Sequence, residues 1–270
     1  MAASAKPLTV GNCSLNGEWT VVGRRRGKQR RYVPRIKLPE VREAWTPADT
    51  NIDTERVSKL LQKLEICMKR METSQFYRRF VEQIANSESF NCFRRVLGSE
   101  SEMQVVVYGI GSIDSYETPR LQLSLLLLMK RKFSWMGGIE VFDPILSATE
   151  SQVLQALGCY VLSVNEQGRR CALKPTLFYM PHCEAELYDN LLHANQEAAT
   201  LKNVVLFGNS FETYEEYASA IRNSSIVHSA GHILALKKFT CEYKIQIVSD
   251  DYFKAFHDSS WHFFSNVHDA

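Results

Sequence analysis

Apolar residues after position 53 recur at helical spacing: Val57, Leu60, Leu61, Leu64, Met68 and Met71. Steps of three and four place them on one face, predicting an amphipathic helix from Asp53 to about Met71 with Asp53 or Thr54 as its N-cap. Phe76, Phe80, Val81 and Ile84 predict a second helix, and Phe90 to Gly98 leads on into the body of the chain. After Met103 the period changes, and short β-branched or aromatic runs alternate with helical patterns. The predicted strands are Val105–Tyr108, Ile139–Phe142, Cys159–Val164, Leu177–Met180 and Val204–Phe207. Helices are predicted over about Thr118–Arg131 and Thr149–Leu157, from Glu184 to about Ala194, and over about Tyr214–Ile221.

Strands alternating with helices of this length build βαβ units, and hence a parallel sheet covered on both faces. The predicted fold is therefore α/β: a doubly wound, mostly parallel Rossmann-like sheet with an N-terminal helical extension. The link from Glu166 to Pro175 is too short for a helical crossover, so a loop or single turn is expected there. Near the end, Ile233–Phe239 and Tyr243–Val248 are predicted as an antiparallel edge pair about a Thr240-Cys241-Glu242 turn. Phe253, Phe256, Trp261, Phe263 and Phe264 are expected to cap the core.

Charge divides the 270 residues further. Residues 1–50 hold ten Lys/Arg against four Asp/Glu, while the whole chain carries only +2, so a basic head precedes a mildly acidic body. The division predicts a largely disordered head (1–50), a helical segment (51–98) and one α/β domain (99–270). Within the head RRRGKQRR packs Arg24, Arg25, Arg26, Lys28, Arg30 and Arg31 into eight positions, a pattern read as a nuclear import signal, as a weak phosphate-binding patch or as solvated charge. No zinc-finger spacing, helix-turn-helix or aromatic RNP pattern accompanies it, so no sequence-specific nucleic-acid binding is expected. The densest apolar run, Leu121–Met129, is interrupted by Gln122 and Ser124 and reads as a buried helix in a soluble protein, not a membrane span. Seven scattered cysteines without a CxxC pair support neither a disulfide framework nor a zinc site, and a reducing compartment is expected.

Ligands of open parallel sheets bind outside the carboxyl ends of the strands. The polar residues that follow the predicted strands are therefore the candidates: Gly109, Gly111 and Ser112; Asp143; Asn165 with Glu166; His182, Cys183 and Glu184; Asn209 and Ser210. The glycines permit a sharp turn, and the helix start after it would offer free N–H groups to an anion. Asp143 stands where nucleoside-binding folds place an acceptor for ribose hydroxyls. GIGS is only half of a dinucleotide fingerprint, however, and Asp143 lies 34 residues beyond Gly109 instead of the usual spacing of about 20. A nicotinamide cofactor is thus not expected, and an S-adenosylmethionine-type site fits better. An equally economical reading makes the glycines a tight turn and Asp143 a cap. His182 and Cys183 are sequence neighbours, a poor arrangement for a nucleophile and its base; His182 is expected to donate a hydrogen bond within a pocket, and no metal is predicted.

The segments VVVYGIGSID, QLSLLLLM, VFDPILSATE, LGCYVLSVNEQGRR, TLFYMPHCEAELYDNLLHAN and NVVLFGNSFETY occur in order over about residues 103–215. In this the chain resembles the sensitivity-to-red-light-reduced family, the SRR1-like domain proteins, and its basic Pro-rich head is similar to that of plant members. It departs from the family pattern at Gln196, where an aromatic is common, and at His257, where Asn is common. The resemblance implies a regulatory role in phytochrome B-linked light signalling and circadian clock input, affecting clock-regulated expression and flowering time, with protein partners and residence in cytoplasm and nucleus. Animal and fungal relatives are tied to other processes, including haem-related metabolism. No catalytic residue comes with the resemblance. Two roles stay open from sequence: a scaffold acting through partners, or an enzyme or sensor of a nucleoside-type small molecule.

Overall fold

In the computed structural model, which describes residues 44–47, 49–220, 229–247 and 250–265, helix formation starts where the periodicity places it. Asp53 caps α1 (Thr54–Glu72), its Oδ1 accepting from the N–H groups of Glu55 at 2.9 Å and Arg56 at 3.0 Å. Two of the four donors that a helix start leaves open are thereby satisfied. Next come α2 (Gln75–Ala85) and α3 (Ser87–Leu97). The stretch read from sequence as a lead-in is thus itself a helix, burying Phe93 and Val96. Arg24, Arg25, Arg26, Lys28, Arg30 and Arg31 lie outside the described residues.

The body follows in the order β1 (Met103–Tyr108), α4 (Glu117–Lys132), β2 (Met136–Phe142), α5 (Ala148–Ala156), β3 (Cys159–Val161), β4 (Thr176–Met180), α6 (Ala185–Ala194), α7 (Ala198–Leu201), β5 (Val204–Asn209) and α8 (Phe211–Ala220). It ends with α9 (Gly231–Leu236), β6 (Thr240–Lys244), α10 (Asp250–Phe256) and β7 (Ser259–Phe264). The seven strands lie in the order β3-β2-β1-β4-β5-β7-β6. Pairing is parallel from β3 through β5, and β7 runs antiparallel to both β5 and β6. The chain winds outward from β1 to β3, then returns to place β4 on the other side of β1. That reversal is a topological switch point.

Alternation within the strands divides the interior into two cores. Val105 and Val107 of β1, Leu177 and Tyr179 of β4, and Val205 and Phe207 of β5 face one core with α1 to α5 and α10. Val106 and Tyr108, Phe178 and Met180, and Val204 and Leu206 face the other, with α6, α8 and α9. Both faces are covered, so the strands read as apolar runs. The Leu121–Met129 run is enclosed because α4 lies between the sheet and an outer layer formed by α1 and α10. Of its two polar interruptions Gln122 is satisfied inside: its Nε2 donates to the Ala255 carbonyl at 2.9 Å, and its carbonyl accepts from the Tyr179 hydroxyl at 2.9 Å. Among the described residues no helix is long and apolar enough to cross a membrane.

The crossover from β3 to β4 contains no helix, as expected. Asn195, fully buried at the end of α6, supplies what a helix would have supplied. Its Oδ1 accepts from Ala172 N at 2.7 Å, and its Nδ2 donates to the Arg170 and Leu191 carbonyls at 2.8 and 2.9 Å, so the loop's backbone groups find partners without a ladder.

The edge pair requires a correction. An antiparallel pair closes the sheet, but it is formed by β6 and β7. Ile233–Phe239 is not a strand: Ile233 and Leu236, three apart, are the buried positions of α9, and Lys237–Phe239 forms a 3₁₀ turn. Short apolar runs suit either period, and here the packing on α6 and α8 selects the helix. The expected Thr240 turn lies inside β6. Trp261 and Phe263, taken from sequence as core caps, belong to β7, which is buried on both faces between its neighbours.

Candidate functional site

The turn after β1 is fixed by close approach. Gly109 has φ +67°, and a Cβ on it would stand 2.6 Å from Cys183 Sγ; Gly111 has φ +76°. Both values lie in the left-handed region that side chains disfavour. Asp143, buried after β2, anchors this turn by accepting from Gly111 N at 2.8 Å through Oδ2 and from Ile145 N at 3.0 Å through Oδ1. Glu150, buried at the start of α5, accepts from the Ser112 hydroxyl at 2.7 Å and from Asp114 N at 3.0 Å. Its other oxygen accepts from Ser147 N at 2.9 Å in a capping box.

These bonds narrow one expectation. Five N–H groups of the turn are held within the protein: Gly109 N donates to the Phe142 carbonyl, Gly111 N to Asp143, Asp114 N to Glu150, Ser115 N to the Ser112 hydroxyl and Tyr116 N to the Ser112 carbonyl, whereas α4 begins at Glu117 without a side-chain cap. Two buried carboxylates stand in the role a phosphate takes at such turns.

Beside the turn a cleft of about 470 Å³ opens, lined by Tyr108, Gly109, Phe142, Asp143 and Pro144, by Asn165, Gln167 and Gly168, and by His182, Cys183, Glu184, Glu186, Leu187 and Asn190. It lies outside the carboxyl ends of β1, β2 and β4. Of the residues singled out from sequence, Gly109, Asp143, Asn165, His182 and Glu184 line it. Gly111 and Ser112 sit behind it in the turn.

Asn209 is likewise a support and not a lining residue. Its Oδ1 accepts from His182 N at 2.9 Å, and its Nδ2 donates to the Cys183 carbonyl and the Tyr214 hydroxyl, both at 3.1 Å. It therefore holds His182 at φ +57°, a backbone state that side chains seldom adopt unless their surroundings impose it. Ser210 is fully buried beyond the cleft, its N–H donating to the Asp258 carbonyl at 2.8 Å.

Partners also settle the chemistry of the neighbours. His182 Nε2 lies 2.9 Å from the His257 carbonyl, which only accepts, so Nε2 carries the proton, and Nδ1 accepts from Gln122 Nε2 at 3.4 Å. Burial lowers the His182 pKa and keeps the ring neutral. Both ring nitrogens are engaged within the protein. Cys183 Sγ donates to the Tyr108 carbonyl at 3.2 Å, and burial pushes its pKa far above the ordinary thiol value. The thiol stays protonated and is no nucleophile. The Tyr108 hydroxyl donates to Glu166, and burial holds it protonated. Glu166 in turn accepts from Arg170 at 2.8 and 3.0 Å, and Arg170 also pairs with Glu140. Glu184 precedes α6 without forming a side-chain cap, and its exposed carboxylate faces the cleft opening together with Glu186.

Glu186, Leu187 and Asn190 were missed from sequence, although Asn190 stands four residues after Glu186 and three after Leu187, a legible sign of one helix face. Gln167 and Gly168, with φ +51° and +75°, belong to the helix-free crossover, which carries no periodic signal. Among the described residues no group of three or more His, Cys, Asp or Glu is placed to hold a metal ion.

A doubly wound α/β sheet with a cleft at its switch point defines a Rossmann-like class of fold. The SRR1 domain family matches residues 59–263, and the chain belongs to that family. It is 53% identical over 266 residues to Protein SENSITIVITY TO RED LIGHT REDUCED 1 of Arabidopsis thaliana, covering 97% of this chain and 96% of the relative. An SRR1-like protein of Mus musculus is 44% identical over 125 residues, covering 44% of this chain and 48% of the relative. Similar solved structures include a putative O-methyltransferase from Klebsiella pneumoniae, at TM-score 0.41 and 10% identity, covering 77% of this chain and 90% of that one. The plantazolicin methyltransferase BpumL, solved with SAH, aligns at TM-score 0.34 and 9% identity over 79% of this chain and 100% of that one. Likeness at this level says nothing of substrate.

Proposed function

We propose that this protein is a regulator in red-light signalling that feeds the circadian clock, acting through phytochrome B-linked signalling on clock-regulated gene expression and flowering time. The observation that carries this reading is 53% identity over nearly the full length of the Arabidopsis protein. In this role it works with protein partners in cytoplasm and nucleus, and the basic run Arg24–Arg31 serves import. The test is complementation of an Arabidopsis line lacking that relative. Restored red-light responses and restored rhythm of a clock reporter are expected; expression without either overturns the reading. Replacing Arg24, Arg25, Arg26, Arg30 and Arg31 with Ala is expected to lower nuclear accumulation of a tagged chain, and an unchanged distribution removes the import role.

A second reading rests on a separate observation, the cleft outside β1, β2 and β4 at the switch point. There the domain binds a nucleoside-type ligand, as an enzyme or as a sensor. Asp143 keeps lone pairs beyond its two backbone bonds for ribose hydroxyls. A thermal-shift series with adenosine, guanosine, cytidine and uridine tests it, since ligand at 100 times its Kd adds about 2.7 kcal/mol. At least one nucleoside is expected to raise the melting temperature; no shift with any of them overturns this reading.

A further inference from the structure

We infer that the cleft selects a nucleoside-type ligand that bears a positive charge and no phosphate, a sulfonium nucleoside being the type. The inference rests on the nucleoside reading of the cleft and adds the sign of the ligand's charge.

The first support is that two buried carboxylates and Ser112 already hold four donors of the glycine turn. In dinucleotide sites the glycine turn and the following helix start direct unoccupied N–H groups at a pyrophosphate. Here Gly111 N is held by Asp143 at 2.8 Å and Asp114 N by Glu150 at 3.0 Å, both through buried carboxylates. Ser115 N and Tyr116 N are held by Ser112. A phosphate at this turn would meet negative charge and find those donors engaged.

The second support is the lining. Asp143, Glu184 and Glu186 contribute three carboxylates, and no Lys or Arg lines the cleft. His182 does not offset them, because burial keeps its ring neutral and its Nε2 proton is directed at the His257 carbonyl. Of the cations of the adjoining loop, Arg170 pairs with Glu140 and Glu166, while the exposed Arg169 donates from Nε to Asn190 at the cleft's rim at 3.3 Å. The N-terminus of α6 would favour an anion, but Glu184 and Glu186 occupy that end. Asp143 is buried, so its charge is screened less than in water, and with the exposed Glu184 and Glu186 at the opening it makes the lining repel phosphates and attract a cation.

The test is isothermal titration of the full chain at pH 7.5 and constant ionic strength with four ligands: adenosine, ATP, S-adenosylmethionine, and S-adenosylhomocysteine, which lacks only the methyl group and the sulfonium charge. ATP is expected to bind at least tenfold more weakly than adenosine, and the sulfonium compound at least fivefold more tightly than the thioether. The double variant Glu184→Gln/Glu186→Gln alters two exposed side chains and leaves the fold intact by circular dichroism; in it both ratios are expected to shrink at least threefold. Adenosine binding with ATP equal or tighter overturns the charge selection alone, as does a sulfonium preference that is absent or unmoved by the double variant. Absence of binding by all four ligands overturns the nucleoside reading and this inference with it.

Discussion

Gly109 and Cys183 come from strand ends 74 residues apart in sequence and share one contact, so each constrains what the other can be. Gly109→Ala places a methyl group at a left-handed φ, costing about 1–2 kcal/mol, and drives it against Sγ. We expect a total loss above about 2 kcal/mol by urea denaturation, with about 1 kcal/mol regained when Cys183→Ala is added, as contacting residues couple. His262 offers a pH test. It is fully buried in β7, and burial, outweighing the Glu242 carboxylate, lowers its pKa from 6.5 to about 4. The unfolded chain therefore binds a proton that the folded chain refuses, so stability is complete above pH 6.5 and declines as pH falls from 6.5 towards 4. His182 shifts in the same direction. At about 1.4 kcal/mol per pKa unit, roughly 3 kcal/mol depends on His262. Chemical denaturation from pH 7.5 to 4.5 should show this slope, and His262→Gln should flatten most of it.

At the scale of elements, the β3–β4 crossover and α5 show how a few polar side chains replace regular structure. Asn195→Leu removes the acceptor of Ala172 N and the donor to the Arg170 carbonyl. Each buried group left unpaired costs about 1–3 kcal/mol, so a loss near the middle of that range or above it is expected, together with faster amide exchange at Ala172. Ser147→Ala removes one half of the α5 capping box and is expected to cost about 1 kcal/mol, while loosening Glu150 and through it the Ser112–Asp114 turn. Exchange at Asp114 N reads that link directly. The sequence made α5 and α4 legible because their ends and periods agree. It left α3 unassigned although Phe90, Phe93, Val96 and Leu97 stand at helical spacing, and it took α9 for part of a strand because a short, mostly apolar run suits either period.

The whole molecule has one sheet serving two cores. Trp135 and Trp261 belong to the face covered by α1 to α5, while Leu206 faces α6, α8 and α9. Strands shared by both cores make independent melting of either face costly. Leu206→Ala, expected to cost about 2–5 kcal/mol, should therefore shift the tryptophan fluorescence transition and the far-UV circular dichroism transition by the same amount in urea. Separate midpoints would show that the faces unfold independently.

By itself the sequence determined the class of fold, since the alternation of strand and helix periods and the turn residues after each strand are local properties. It also determined the family, and it brought Asp143, His182 and Glu184 forward as residues at strand ends. Only the tertiary structure decided which of the candidates face a common space. Gly111, Ser112 and Asn209 carry the same polar, turn-forming signature as their neighbours, yet their hydrogen-bonding groups are taken up by Asp143, Glu150, His182 and Tyr214. Whether a polar group meets a ligand or another residue depends on partners far away in the chain. The same holds for the charge of the cleft: the overall +2 says nothing of it, because the sheet's switch point gathers three carboxylates and no cation into one lining.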